Sequence, residues 1–210
     1  MSGIYTEDDI QGLFDVSRET LEKIRIYHTL LLKWNKAINL VSPKTISESW
    51  HRHFIDSAQV SQFIPSDIRV YADLGCGGGF PGLVIAMMRP DLDVHLVESD
   101  ERKGQFMRSV SRETSLNNVT IHTKRVEAVI DDFAPDFVTA RALASLGVLF
   151  DYVFPWVSLN PTIQLGLMKG ERADDEILEA QKRYRFTIRK HDSITDQGAK
   201  ILLIDGLALK

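Results

Sequence analysis

Four of the five residues from Gly75 to Gly79 are glycine, and this bare stretch joins a strand-like run, RVYADL, to a helix-like one, PGLVIAMM. Glycine accepts positive φ and lets another group approach the backbone closely. In an open α/β sheet, the bend after the first strand is where a ligand comes nearest to the main chain. Gly77 to Gly82, GGGFPG, also satisfies the G-x-G-x-x-G spacing of dinucleotide sites. Two kinds of nucleoside ligand therefore compete for the bend.

The remaining pattern supplies the sheet that such a bend needs. Candidate strands are RVYADL, DVHLVES, NVTIHT, PDFVTAR, TIQLGLM, FTIRKHD and KILLID, with helical periodicity near 81–89, 101–116, 145–157 and 171–184. Alternation of this kind implies right-handed crossovers and a mostly parallel sheet covered on both faces. The last two strands lack an intervening helix, so they are expected to pair as an antiparallel hairpin, an ending commoner among methyltransferases than dehydrogenases. Before Pro65 the apolar residues keep helical spacing, with a stripe of Leu21, Ile24, Tyr27, His28, Leu31 and Leu32. Ser42-Pro43 reads as the cap and first turn of a short helix, and RHFIDSAQVSQFI as another. The expected architecture is α/β and Rossmann-like over residues 66–210. Its seven-stranded sheet carries a helical N-terminal extension, residues 1–65, and the whole forms one compact unit.

Charge separates the two ligands. A pyrophosphate at this bend would meet Asp73 at the strand's end and be repelled, whereas a cation would be attracted. S-adenosylmethionine carries a sulfonium and an ammonium, and DLGCGGG has the D-x-G-x-G-x-G form associated with it. Asp73, Gly75, Gly77 and Gly79 are therefore expected at the donor. Glu98, closing the next strand in HLVES, is placed to accept hydrogen bonds from two ribose hydroxyls, which either nucleoside would use.

The acceptor is narrowed by chemistry. Methylation of pyrimidine carbon-5 needs a thiolate, and the single cysteine, Cys76, lies inside the bend, badly placed to attack a base. An exocyclic amine is usually held by an Asn-Pro-Pro-aromatic turn after the fourth strand, where this chain has ARALAS. Guanine N7 offers an in-plane lone pair and loses no proton, so it requires no general base, and none is conspicuous. His51 and His53 lack the neighbouring ligands a metal would need, so no metal is expected.

The blocks KWNKAINLVS, RHFIDS, DLGCGGGFPGL, VESDERKGQF, RVE, ARALASL and MKGE occur in an order and spacing that resembles the ribosomal RNA small subunit methyltransferase G family, also called glucose-inhibited division protein B. The resemblance runs from about Leu30 to the terminal hairpin. It implies a class I methyltransferase fold, S-adenosylmethionine as donor, and methylation of one guanine N7 in 16S ribosomal RNA. It places donor contacts on Gly75, Phe80, Val126, Glu127 and Arg141. Cys76 departs from the Ser or Thr usual in its slot, which removes a hydroxyl hydrogen bond and exposes the bend to slow oxidation.

With 25 Lys and Arg against 29 Asp and Glu, the formal net charge is −4, so an RNA must be met by a local basic rim. Lys33, Lys36, Lys44, Arg52, Arg102, Lys103, Arg141 and Lys169 are the expected members, the last two following strands four and five. Asn39, His53, Asp56 and Ser57 lie among apolar Trp34, Leu40, Trp50, Phe54 and Ile55. They form either a lid over the cofactor mouth that helps seat the guanine, with Arg141, Asn39 and His53 positioning it, or an ion-paired helix docked on the sheet with the tryptophans as core. His53 and Asp56, three apart, share a helical face, as do Arg52 and Asp56. Phe80 and Arg141 are expected at the mouth. The start of the chain, MSGIYTEDDIQ, has no basic-then-apolar layout, and no apolar run reaches the roughly 20 residues of a membrane span. One cysteine suits a reducing compartment. The expectation is a cytoplasmic monomer acting on the small ribosomal subunit or its assembly intermediate, without membrane attachment. The alternatives are a non-catalytic ribosome-assembly factor on the same scaffold and an NAD-linked oxidoreductase.

Overall fold

The structure, a computed structural model, describes residues 4–210. The first three residues of the N-terminal extension, and of the stretch read for an export signal, lie outside the described residues. Seven strands form one sheet: β1 (Val70–Leu74), β2 (Asp93–Val97), β3 (Val119–His122), β4 (Phe137–Arg141), β5 (Gln164–Lys169), β6 (Tyr184–Asp192) and β7 (Lys200–Leu209). Their order is β3-β2-β1-β4-β5-β7-β6, with β1 to β5 parallel and β7 antiparallel to both its neighbours. Order reverses beside β1, so the carboxyl ends of β1 and β4 flank the crevice where such sheets take ligands.

Side chains alternate across the pleat, and that alternation divides the interior into two cores. Tyr71, Leu96 and Phe137 face one side, with helices α4 (Gly82–Met88) and α5 (Glu101–Glu113). Ala72, Leu74, Val138 and Ala140 face the other, under α6 (Leu146–Leu159) and α7 (Ala173–Ala180). The N-terminal extension adds to the first core instead of building its own. Ile10 of α1 (Asp9–Leu13), and Leu21, Ile24, Tyr27 and Leu31 of α2 (Arg18–Trp34), are buried there. Of the expected stripe, Leu32 alone is exposed and His28 is half-buried; Trp34 and Trp50 pack against this core.

Between α2 and β1 the chain runs through a 3-10 turn (Ile46–Glu48), a π-helical stretch (Trp50–Ile55), a turn of α-helix, α3 (Asp56–Ala58), and a second 3-10 segment (Gln59–Phe63). Ser42-Pro43 does not cap this run. The Ser42 carbonyl instead accepts the Thr45 amide at 2.9 Å, closing a separate turn. Widened π turns recur at functional sites, and this one turns Arg52 and His53 toward the sheet's ligand edge.

Candidate active site

The glycine bend is held from three sides. Asp73 and Thr139 share a register position on β1 and β4, so their side chains meet, and the Thr139 hydroxyl donates to Asp73 Oδ1 at 3.1 Å. Asp73 Oδ2 accepts the Gly82 amide at 2.7 Å, tying β1 to the start of α4. From the extension, the Tyr27 hydroxyl donates to the Gly78 carbonyl at 2.5 Å, and its ring stacks on Phe80 at 5.0 Å. In the sequence Tyr27 belongs only to a core stripe, because nothing local shows that α2 crosses the bend.

Two clefts open along the carboxyl edge and meet at Gly75, Gly77, Ala142 and Leu143, which line both. The larger, about 620 Å³, is lined by Arg52, His53, Asp56, Phe80, Arg141 and Asp196 among others. The smaller, about 290 Å³, is lined by Glu98, Lys103, Val126 and Glu127. Gly75 has φ +64°, a left-handed conformation that favours glycine, and a Cβ there would also press on the Leu143 side chain at the junction. Glu98 accepts the amides of Gly77 at 3.0 Å and Asp100 at 2.9 Å, which fixes its carboxylate at the floor of the smaller cleft.

In the larger cleft, Arg141 pairs with Asp56 at 3.2 Å, donates to the Arg52 carbonyl, and lies 5.2 Å over the Phe80 ring. Arg52 pairs with Asp196 at 3.0 Å, so the expected Arg52–Asp56 contact is replaced by tertiary partners. His53 is buried, and burial followed by the charges of Arg141 and Arg52 pushes its imidazole down to about 3. It is neutral at any physiological pH.

Several expected site residues take other places. Asp73 is fully buried and lines neither cleft; burial raises its carboxyl to about 7, against the pull of the Gly82 amide, the Thr139 hydroxyl and Arg141. It braces the bend from beneath and faces neither cleft, so it does not offer its carboxylate to a ligand there as its place at the strand's end had suggested. Gly79, φ +94°, faces Leu83 and the Tyr27 hydroxyl, where a Cβ would be 2.4 Å from Leu83 Cδ1, and its role is packing. Phe80 is 2% exposed and forms a floor, not a mouth. Lys169 is buried against Glu176 at 2.8 Å and donates to the Ala144 carbonyl, which anchors the ARALAS loop to β5. Asn39, Lys33, Lys36, Lys44 and Arg102 are exposed and outside the lining of both clefts. The basic members that do line them, Arg52, Lys103, Arg141 and Lys169, each face a carboxylate partner. Lys124, Arg125 and Lys200, which the sequence did not single out, also line the clefts. Cys76 is buried, its thiol 3.6 Å from the Val97 carbonyl and 3.4 Å from Met107 Sδ. Burial pushes that thiol well up, so it resists deprotonation and oxidation, contrary to expectation.

A long ligand with a nucleoside at one end and a charged tail at the other fits two clefts that share a glycine-lined junction. Glu98, Val126 and Glu127 would hold the nucleoside, and Gly75, Phe80 and Arg141 the tail of S-adenosylmethionine, which supplies an activated methyl group when bound. Sheet order, terminal hairpin and cleft position together define a class I S-adenosylmethionine-dependent methyltransferase. Solved structures agree on the fold. A putative O-methyltransferase from Klebsiella pneumoniae superposes with TM-score 0.57 at 12% identity, over 92% of this chain and 92% of that one. A mutant of MtNAS in complex with S-adenosylmethionine superposes with TM-score 0.56 at 14% identity, over 96% and 84%.

The family described as rRNA small subunit methyltransferase G matches residues 20–204, and the chain belongs to it. The ribosomal RNA small subunit methyltransferase G of Parvibaculum lavamentivorans is 43% identical over 97% of this chain and 91% of its own length. That of Paramagnetospirillum magneticum is 45% identical over 89% of both. The protein is accordingly an S-adenosylmethionine-dependent enzyme of an rRNA-methylating family. Among the described residues no helix is long and apolar enough to cross a membrane.

Proposed function

We propose that the protein transfers a methyl group from S-adenosylmethionine to N7 of a specific guanine in 16S ribosomal RNA, acting in the cytoplasm as a monomer. One observation carries the choice of acceptor atom. The three carboxylates lining the larger cleft, Asp56, Glu176 and Asp196, are all ion-paired with Arg141, Lys169 and Arg52. The imidazole there, held near 3, is too weak a base, and the buried thiol too weak an acid, to take part in proton transfer or attack. Guanine N7 needs neither, because its lone pair attacks the methyl carbon in line and no proton leaves. Catalysis then rests on positioning within the cleft.

In this reading residues 1–65 act as a lid through Thr45, Arg52, His53 and Asp56, which wall the cleft opposite the sheet. Exposed Lys33, Lys36, Lys44 and Arg102, with Lys124 and Arg125, meet phosphates away from the reacting atoms. A cationic product, N7-methylguanine, suits a cleft whose arginines are neutralised by carboxylates. The test is digestion and mass analysis of 16S RNA from cells with and without the protein. Loss of one N7-methylguanine is expected. An unchanged set of N7 marks, or loss of an exocyclic methyl group, overturns the proposal.

A further inference from the structure

His53 carries a buried ring nitrogen, Nδ1, with no hydrogen-bond partner among the described residues. Its other nitrogen, Nε2, lies 2.9 Å from the Thr45 hydroxyl. That hydroxyl has one proton, and it donates it to the Ser42 carbonyl at 3.0 Å. Thr45 therefore accepts from His53, the ring is the Nε2–H tautomer, and Nδ1 is a bare lone pair. An orphaned buried acceptor costs on the order of 1–3 kcal/mol and calls for a hydrogen-bond donor from outside the described residues. The ring's place narrows which donor. It packs on Phe80 at 5.3 Å, directly after the glycine bend, and Arg141 lies over the same Phe80 ring. Both recorded side-chain bonds of Arg141 use Nη1, which leaves the rest of its fork for a carboxylate.

An acceptor lone pair and a guanidinium flanking one aromatic floor match the two charged groups of an α-amino acid. We propose that His53 Nδ1 accepts a hydrogen bond from the α-ammonium of S-adenosylmethionine while Arg141 takes its α-carboxylate. This rests on the donor reading of the two clefts, and it reassigns His53 from the guanine, where the sequence had placed it, to the donor. Thr45 is then a positioning residue, fixing the tautomer.

The test is equilibrium titration of S-adenosylhomocysteine, which keeps the amino-acid tail, and of methylthioadenosine, which lacks it. The ligands are added to the wild-type protein and to His53→Phe, which preserves the aromatic stack. The variant is expected to bind S-adenosylhomocysteine about tenfold or more weakly, the loss of a charge-assisted hydrogen bond, with methylthioadenosine affinity unchanged. Equal weakening of both ligands, or of neither, overturns the proposal. So does a variant with normal S-adenosylhomocysteine affinity and a raised KM for RNA, which would return His53 to the base. Wild-type protein that binds neither ligand would instead refute the donor site itself. Nitrogen-15 spectra of wild-type imidazoles give an independent readout: a protonated Nδ1 on His53 overturns the argument.

Discussion

Replacing Asp73 by Asn should make the protein's stability less dependent on pH. In the native structure burial raises this carboxyl from its ordinary 3.8 to about 7, so the folded state holds a proton that the unfolded chain releases. The sign follows from linkage: the associated stability is fully present below pH 3.8 and is lost as pH rises through about 7. Its full size is ~4 kcal/mol, of which ~3 kcal/mol disappears between about pH 4.5 and 8.5. Asparagine keeps the geometry. Its amide oxygen accepts from the Gly82 amide and its NH2 donates to the Thr139 hydroxyl oxygen, which the Tyr71 hydroxyl also contacts. Urea denaturation of both proteins at the two pH values, at fixed ionic strength, isolates this residue from other carboxylates. The wild type should lose ~3 kcal/mol more than the variant as pH rises. Parallel profiles, within about 0.5 kcal/mol, would refute the reasoning that Asp73 is a desolvated brace. Donor affinity in Asp73→Asn should stay within a few-fold, since the side chain lines neither cleft, while Asp73→Ala, which abandons the Gly82 amide, should lower it.

Other substitutions test the same division between brace and ligand contact. Tyr27→Phe leaves the Gly78 carbonyl without its buried donor; calorimetric unfolding should show a loss of ~1–3 kcal/mol, and an unchanged Tm would mean that α2 does not hold the bend. Lys169→Ala strips the partly buried Glu176 of its cation; the expected cost is ~1–3 kcal/mol in urea, with the salt dependence of RNA binding unaltered. A salt slope smaller by about one would make Lys169 a phosphate contact after all. Cys76 should react with a disulfide reagent only on unfolding, and rapid labelling of the native protein would contradict its burial.

Residues whose signal is local were legible in the sequence. Short β-rich runs and the 3.6-residue period located every strand and the helices after Pro65, because central strands buried on both faces read as near-continuous apolar runs and the helices between them each bury one stripe. Glu98, Val126, Glu127, Gly75 and Gly77 line the clefts for a related reason. They follow successive parallel strands, and parallel strands deliver their carboxyl ends to one edge of the sheet.

What the sequence could not decide was which way a charge faces and whom it meets. Asp73 and Lys169 stand at strand ends as a ligand contact would, yet the pleat turns one toward α4 and the other toward α7. Arg52 and Asp56 are four apart, but Asp196 and Arg141, distant in sequence, take them. Tyr27 reaches the glycine bend only because α2 folds back across β1's neighbour helices, and the Thr45–His53 bond exists only within the π-helical detour. Alternation of polarity is a property of consecutive residues, whereas desolvation and pairing depend on contacts between remote ones. Chain order alone therefore located the sheet edge, and tertiary packing selected which of its polar groups remain open to a ligand.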